Sequence, residues 1–398
     1  MADLRTVDEA LALVLERATP LPAERVSLAE AAGRVVAEPA LARVDLPPFA
    51  SSAMDGYAVR AEETPARLPV HGRIAAGSPL PGSLPPGAAA AIATGAEVPD
   101  GANAVVPVEL TQEEDGHVVI QAAAEPQAHI RPRGGDVRAG EVVVAPGTVL
   151  GASRIGALAA AGVGEVACAR RPRVAVLATG SELVPPGEEL QPGQIYESNR
   201  TMVAAALATA GAEVLELPVV RDDEDAHRQA LDEGLSADVL VTSGGVSMGP
   251  HDLVRRVAAE LGVEEVFWGV AVKPGKPLSF GVRGSTLVFG LPGNPVSSLV
   301  GTVLFVCPAL LALQGASVPG PVYELGRAAR PLRRNAHRDE FFRARRHPED
   351  EGLTSLEPVI GQESHMIVRA SSADALVHVP RGSGELAAGD PVRYLRLP

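Results

Sequence analysis

Four short polar segments of this 398-residue chain carry residue types suited to holding an oxyanion. They are Thr179-Gly180-Ser181-Glu182, Ser243-Gly244-Gly245-Val246-Ser247, Lys273-Pro274-Gly275-Lys276-Pro277 and Pro292-Gly293-Asn294-Pro295-Val296-Ser297. Glycine lets a backbone approach a ligand closely, and the N–H groups that open a helix attract anions. The third segment adds two ammonium groups on a loop stiffened by two prolines, able to face one tetrahedral anion. Three carboxylates, Glu182, Asp222 (just after the apolar run 214–220) and Asp252, are expected at or near the same edge as these segments. Beside a polyphosphate they suggest Mg²⁺, which takes one or two protein carboxylates together with water and phosphate oxygens. No His/Cys cluster has the spacing of a structural zinc site.

Other motifs are weaker. Gly245-Val246-Ser247-Met248-Gly249 has the form of a nucleophile elbow, but Ser243-Gly244-Gly245 separates the serine from its strand. No His-Gly-Gly-Gly oxyanion segment accompanies it. A Walker A loop and a Gly-x-Gly-x-x-Gly turn are both absent.

The elements around these segments follow from hydrophobic periodicity. Val174–Ala178, Val214–Val220, Val239–Thr242, Val266–Val272 and Leu287–Leu291 are expected strands. The helices are expected at Thr201–Ala210, Asp225–Glu233, Leu253–Leu261 and Val296–Leu313. This alternation predicts a parallel, doubly wound α/β sheet over residues 172–317, with ligands at the carboxyl ends of its strands. Residues 5–40 are expected to be helical, with Val7, Ala10, Leu11, Val14 and Leu15 on one face and Ser27 capping a second helix. Residues 43–138 alternate short apolar runs with Pro and Gly turns, which predicts a β-rich domain. Residues 139–171 include a glycine-bounded helix at 151–164 and are expected to close on residues 1–42 as a small mixed domain. Residues 318–398 are expected to form a small β-barrel.

Composition narrows the partners. Aromatic residues make up 3% of the chain and its net charge is −14. Neither a stacking platform nor a basic face for nucleic acid is available. Surface charges are screened beyond about 8 Å at physiological salt, so local lysines still govern a pocket. Cys168 and Cys307 sit among apolar neighbours and are expected as free buried thiols, which fits a reducing compartment. No signal pattern opens the chain and no run is expected to reach membrane-spanning length, so the expected location is cytoplasmic.

Taken in order, these and further motifs resemble the MoeA and gephyrin E-domain family, the molybdopterin molybdenumtransferases. The resemblance spans nearly the whole chain. Its carriers are Ser52-Ala53-Met54-Asp55-Gly56-Tyr57-Ala58, Ala93-Thr94-Gly95-Ala96, Gly135-Asp136, Thr179–Leu183, Ser243–Asp252, Lys273–Pro277, Gly290–Ser298, Phe342-Arg343 and Gln362-Glu363-Ser364-His365. It implies a four-domain homodimer that inserts molybdate into adenylylated molybdopterin and releases AMP with Mg²⁺. The active cleft would lie between the sheet domain of one subunit and the β-rich domain of the other. The resemblance assigns molybdate to Lys273, Lys276, Ser297, Arg343 and Ser364. The molybdopterin nucleotide falls to Gly180, Ser181, Glu182, Ser243, Gly244, Gly245, Ser247, Pro292, Gly293 and Asn294. Metal and phosphates go to Glu182, Asp222 and Asp252, and catalysis to Asp55, Thr94 and Asp136.

Three positions depart from the family pattern: Asn103 replaces a usual Asp, Gly135 a common Glu, and Glu363 a usual Gly. Two alternative functions remain at this point. One is the adenylyltransferase that prepares the substrate, whose single domain resembles residues 172–317 and which is otherwise a possible partner. The other is a non-catalytic scaffold.

Overall fold

The chain, described here from a computed structural model, is placed over residues 4–245, 253–348 and 354–397. Its central sheet is dictated by strands that are apolar on both faces. Val174, Val176, Val239, Val241, Leu287 and Phe289 point to one core, while Ala175, Leu177, Leu240 and Val288 point to another. That period of two on a strand buried from both sides requires helices on both faces. Asn199–Thr209 and Pro295–Leu313 cover the first face; Glu224–Gly234 and Leu253–Glu260 cover the second.

Four strands are parallel, in the order Glu213–Glu216, Arg173–Ala178, Val239–Ser243, Thr286–Leu291. The sheet then continues through Ser279–Arg283 and Glu264–Trp268, each antiparallel to its neighbour. The sequence pattern did not separate Ser279–Arg283, a hairpin partner of the next strand. It also overextended two strands. The run expected over 214–220 loses regular pairing after Glu216, where Pro218 cannot donate to a ladder, and rejoins its neighbour only through a single bridge of Val220 to Thr179. The run expected over 266–272 stops at Trp268, and Gly269 turns it with a φ of 89°.

Ser27 does not open a helix. It ends the strand Ala23–Ser27, which pairs with Glu165–Ala169; Ser27 Oγ instead donates to Glu30 at 2.7 Å in a turn. Ala40–Leu41 pairs with Val142–Val144, so the segments flanking the β-rich region meet around Val36, Leu150, Leu158 and Val166. The helix Val7–Arg17 opens with a Thr6/Glu9 capping box and packs Val7, Ala10 and Val14 on the central sheet's core instead. Between these segments lies a six-stranded sheet whose centre is Gly56–Val59, Ala89–Ile92 and Ala66–Ile74.

At the C-terminus, Asp339–Pro348, Thr354–Pro358, Glu324–Ala328, Pro391–Arg396 and Ala375–Val379 pair in a ring, closing a five-stranded barrel. The two-residue strand Val272–Lys273 adds to it from outside.

Two further expectations change. Pro295–Leu313 does reach bilayer-spanning dimensions, with 19 residues and a mean hydropathy of 2.2, but 78% of it is buried inside the protein. It is a core helix. Cys168 is buried and free, whereas Cys307 is only half-buried; desolvation still pushes its thiol up to about 12.

Candidate active site at the sheet edge

Backbone hydrogen bonds knit the glycine loops together where the parallel strands end. Thr179 N donates to Ser243 O at 3.1 Å, Gly244 N to Leu291 O at 3.1 Å, and Gly180 N to Val220 O at 2.9 Å. Gly244 has a φ of 94°, and a Cβ there would stand 2.7 Å from Thr179 O. No other residue fits that position without moving the neighbouring loop. Gly293 in turn lies against the Gly244 Cα. These loops line one cavity of about 760 Å³, which also takes in Glu182, Asp222 and Asn199.

Asn199 was not singled out by the sequence. It begins the helix Asn199–Thr209 and spans two loops, its Nδ2 donating to Ser243 Oγ at 2.9 Å and to Gly293 O at 2.6 Å. Ser298, also overlooked, donates to Pro292 O at 2.5 Å and lies 3.3 Å from Ser243 Oγ. The polar run Glu197-Ser198-Asn199, placed just before a helix, was the available signal. Ser181 accepts the Asp222 N–H at 3.0 Å, holding the two acidic loops side by side. Ser247 and Asp252, together with the elbow-like motif around Ser247, lie outside the described residues.

The lysine loop hangs from the same edge. Gly275 has a φ of 115°, and a Cβ there would stand 3.7 Å from Ser297 O at the start of the helix Pro295–Leu313. Val296 N donates to Ser364 O at 3.0 Å, and Arg343 Nη2 reaches the carbonyls of Gly361 and Glu363, both at 3.4 Å. The start of the helix Pro295–Leu313 therefore adjoins the segment 361–364, whose carbonyls Arg343 meets from the barrel. His365 and Pro277 continue that wall into the large cavity.

The cations differ in state. Lys276 is exposed and makes no ion pair among the described residues. Lys273 Nζ is 2.8 Å from Glu340 Oε1, an acidic neighbour the sequence did not flag. Arg343 is 1% exposed, its Nε has no partner, and burial lowers its pKa to about 10 despite the favourable charges of Glu363 and Glu340. A buried guanidinium with long bonds to two carbonyls lacks the carboxylate or oxyanion that usually accompanies such a group.

Asp55, Thr94 and Asp136 are not brought to this edge within the chain. Asp55 lines a separate cavity of about 300 Å³ on the β-rich sheet. Its Oδ1 accepts both Thr94 N at 2.6 Å and Thr94 Oγ1 at 2.9 Å, bonds that hold the carboxyl below the usual range. Asp136 is exposed, and its N–H is tied to Leu46 O at 2.9 Å.

Comparison with known proteins covers the chain in three parts. Residues 5–162 match the MoeA N-terminal region (domain I and II), 175–312 the probable molybdopterin binding domain, and 326–397 the MoeA C-terminal region (domain IV). The molybdopterin molybdenumtransferase of Haemophilus influenzae is 36% identical, over 97% of both chains. The chain belongs to the molybdopterin molybdenumtransferase family. A second relative, molybdopterin molybdenumtransferase 2 of Mycobacterium tuberculosis, is 38% identical over 99% of this chain and 100% of its own. The crystal structure of a molybdopterin biosynthesis MoeA protein from Pyrococcus horikoshii OT3 superimposes with a TM-score of 0.86 at 29% identity, covering 99% and 100%. A further crystal structure of the Pyrococcus MoeA protein gives 0.81 at 33% identity, covering 99% of each chain.

Within this family the three departures have local explanations. Asn103 Oδ1 accepts Ala61 N at 2.6 Å while its Nδ2 donates to Glu62 at 3.1 Å, which an aspartate would instead repel. A Cβ on Gly135 would stand 3.1 Å from Pro132 O, so this version of the turn is built without one. Glu363 has an exposed side chain; it gives Arg343 its carbonyl as a hydrogen-bond acceptor, and its carboxylate acts on the guanidinium only through space.

Proposed function

We propose that this chain inserts molybdate into adenylylated molybdopterin, releasing AMP and the molybdenum cofactor. The observation that carries the reading is Arg343, a buried and under-partnered guanidinium on the same barrel strand that pairs with Val272–Lys273 of the lysine loop. A tetrahedral oxyanion would supply the acceptors that Arg343 lacks, with point charge from Lys273 and Lys276 and directed donors from Ser297 and Ser364. The glycine loops at 180–182, 243–247 and 292–294 would take the molybdopterin nucleotide, their tight backbone leaving room for phosphates.

Glu182 and Asp222 line the same cavity, and an all-oxygen pair beside substrate phosphates matches the way Mg²⁺ binds. Among the described residues no group of three metal-ligating side chains exists, so these two, with Asp252, would hold the ion jointly with substrate. Bound there, Mg²⁺ would neutralise charge on the phosphates as the anhydride breaks. Asp55, held ionised by Thr94, and Asp136 would position or activate the species that cleaves the phosphoanhydride, with no covalent intermediate.

Because these acids lie apart from the sheet edge of their own chain, a homodimer with the β-rich domain of one subunit over the sheet of the other completes the site. We take the units as 1–42 with 139–171, 43–138, 172–317 and 318–398, in a cytoplasmic enzyme fed by the adenylyltransferase. The test is AMP release from adenylylated molybdopterin and Mg²⁺, followed with and without molybdate. Release should require molybdate and fall to background in a Lys273→Ala, Lys276→Ala double variant. ATP consumption indifferent to molybdate would instead mark the adenylyltransferase reading.

A further inference from the structure

A carboxylate stands against the cationic loop where an anion site should avoid one. Glu340, on the barrel strand Asp339–Pro348, is only 8% exposed. Its Oε1 meets Lys273 Nζ at 2.8 Å. The backbone imposes this meeting, because Lys273 and Glu340 are register partners in the short parallel ladder joining the loop to the barrel. Glu340 also acts on Arg343 through space, favouring its charged form. One acidic side chain is therefore coupled to two of the cations, from a strand that also carries Arg343.

We propose that Glu340 is a positioning and charge-setting residue of the oxyanion pocket, selecting a tetrahedral dianion over more highly charged phosphates. This rests on the reading of the lysine loop as that pocket. Lys273, Lys276 and Arg343 against the buried Glu340 leave two net positive charges, the magnitude of a molybdate dianion, before the solvent-screened charge of the exposed Glu363, which also acts on Arg343, is counted. A pocket without Glu340 would favour the polyphosphate end of the substrate, which must lie in the neighbouring glycine loops if the two ligands are to react. In the empty pocket Glu340 holds the Lys273 ammonium in place. When the dianion arrives, Lys273 is shared between the carboxylate and the ligand, and the carboxylate's repulsion keeps the oxyanion from being trapped. The effect is moderate, since Lys273 is 46% exposed and water screens the pair.

Isothermal titration of the full-length protein with sodium molybdate, and separately with inorganic pyrophosphate, tests this in the wild type, Glu340→Gln and Glu340→Asp. The glutamine variant should bind molybdate about fivefold more tightly and pyrophosphate more than about tenfold more tightly, reversing part of the selectivity. The aspartate variant keeps the charge but withdraws it by one methylene, and should tighten molybdate by about twofold and pyrophosphate by about fourfold, so that their ratio moves in the same direction as in the glutamine variant. In turnover, Glu340→Gln should lower both the KM for molybdate and kcat, a split that simple loss of structure does not produce. Affinities unchanged within twofold, or weakened equally for both anions, would overturn the role of Glu340. If Glu340→Gln does not fold, the aspartate variant decides alone: an unchanged pyrophosphate-to-molybdate ratio refutes the proposal. A wild-type protein that shows no molybdate binding would sink the pocket assignment itself, a distinct outcome.

Discussion

The sheet edge and the acidic loop of the β-rich domain are built on opposite plans. At the sheet edge, Thr179, Gly180 and Gly244 are tied to neighbouring strands by main-chain bonds, and Asn199 bridges two loops from the side. The shape of that cavity is over-determined by backbone, so it is formed before any ligand arrives. Among the described residues, the hydrogen bonds to the Asp55 carboxylate come from Thr94 alone, and both residues are exposed. Rigid backbone suits holding phosphates in place. An exposed, ionised carboxylate suits a group that acts once a partner surface covers it, because desolvation then strengthens its interactions.

The largest expected effect separates the two plans. Asp55→Asn should lower the rate of AMP release by roughly 100- to 10,000-fold while the affinity for adenylylated molybdopterin stays within about twofold, read from single-turnover kinetics and titration. An equal loss of affinity would mean that the acidic loop is part of the binding surface and would erase the contrast. Gly244→Val should act in the opposite sense. The side chain would meet Thr179 O and force the loop aside, weakening nucleotide binding by roughly 100-fold. Mixing the two inactive variants should restore roughly a quarter of wild-type activity if each cleft takes its acid from one subunit and its glycine loops from the other. No recovery would show that both halves of the site come from a single chain.

The smallest effect lies at the far end of the sheet. Asp238 accepts two bonds from Arg170, at 2.7 and 2.6 Å, and one from Arg173 N at 2.8 Å. Burial opposes its charge, yet these bonds outweigh it and hold its carboxyl below the usual aspartate range. A depressed carboxyl stabilises the fold above its unfolded pKa and loses that contribution as pH falls through the folded one. Asp238→Asn should therefore cost about 2 kcal/mol near pH 7, narrowing below about pH 4, with ligand affinity unchanged; denaturant melts across pH would check this.

Much of this was legible in the chain because it is local. Glycine loops after β-branched runs, the Thr6/Glu9 cap and the apolar helix Pro295–Leu313 are each determined by neighbours within a few residues. Failures came where a distant partner decided. Ser27 has good cap chemistry, but the segment Glu165–Ala169 recruited it into a ladder. Val272–Lys273 resembled the tail of a sheet strand, but the barrel strand Asp339–Pro348 claimed it.

The sequence by itself determined the α/β sheet, the order of its loops and the chemistry those loops carry, since periodicity and residue type act over short range. Tertiary structure alone decided that Lys273 faces Glu340, that Arg343 is buried without an acid of its own, and that Asn199 locks two loops together. Each of these depends on residues far apart in the chain, whose meeting is set by strand register and domain packing. No local pattern encodes that meeting.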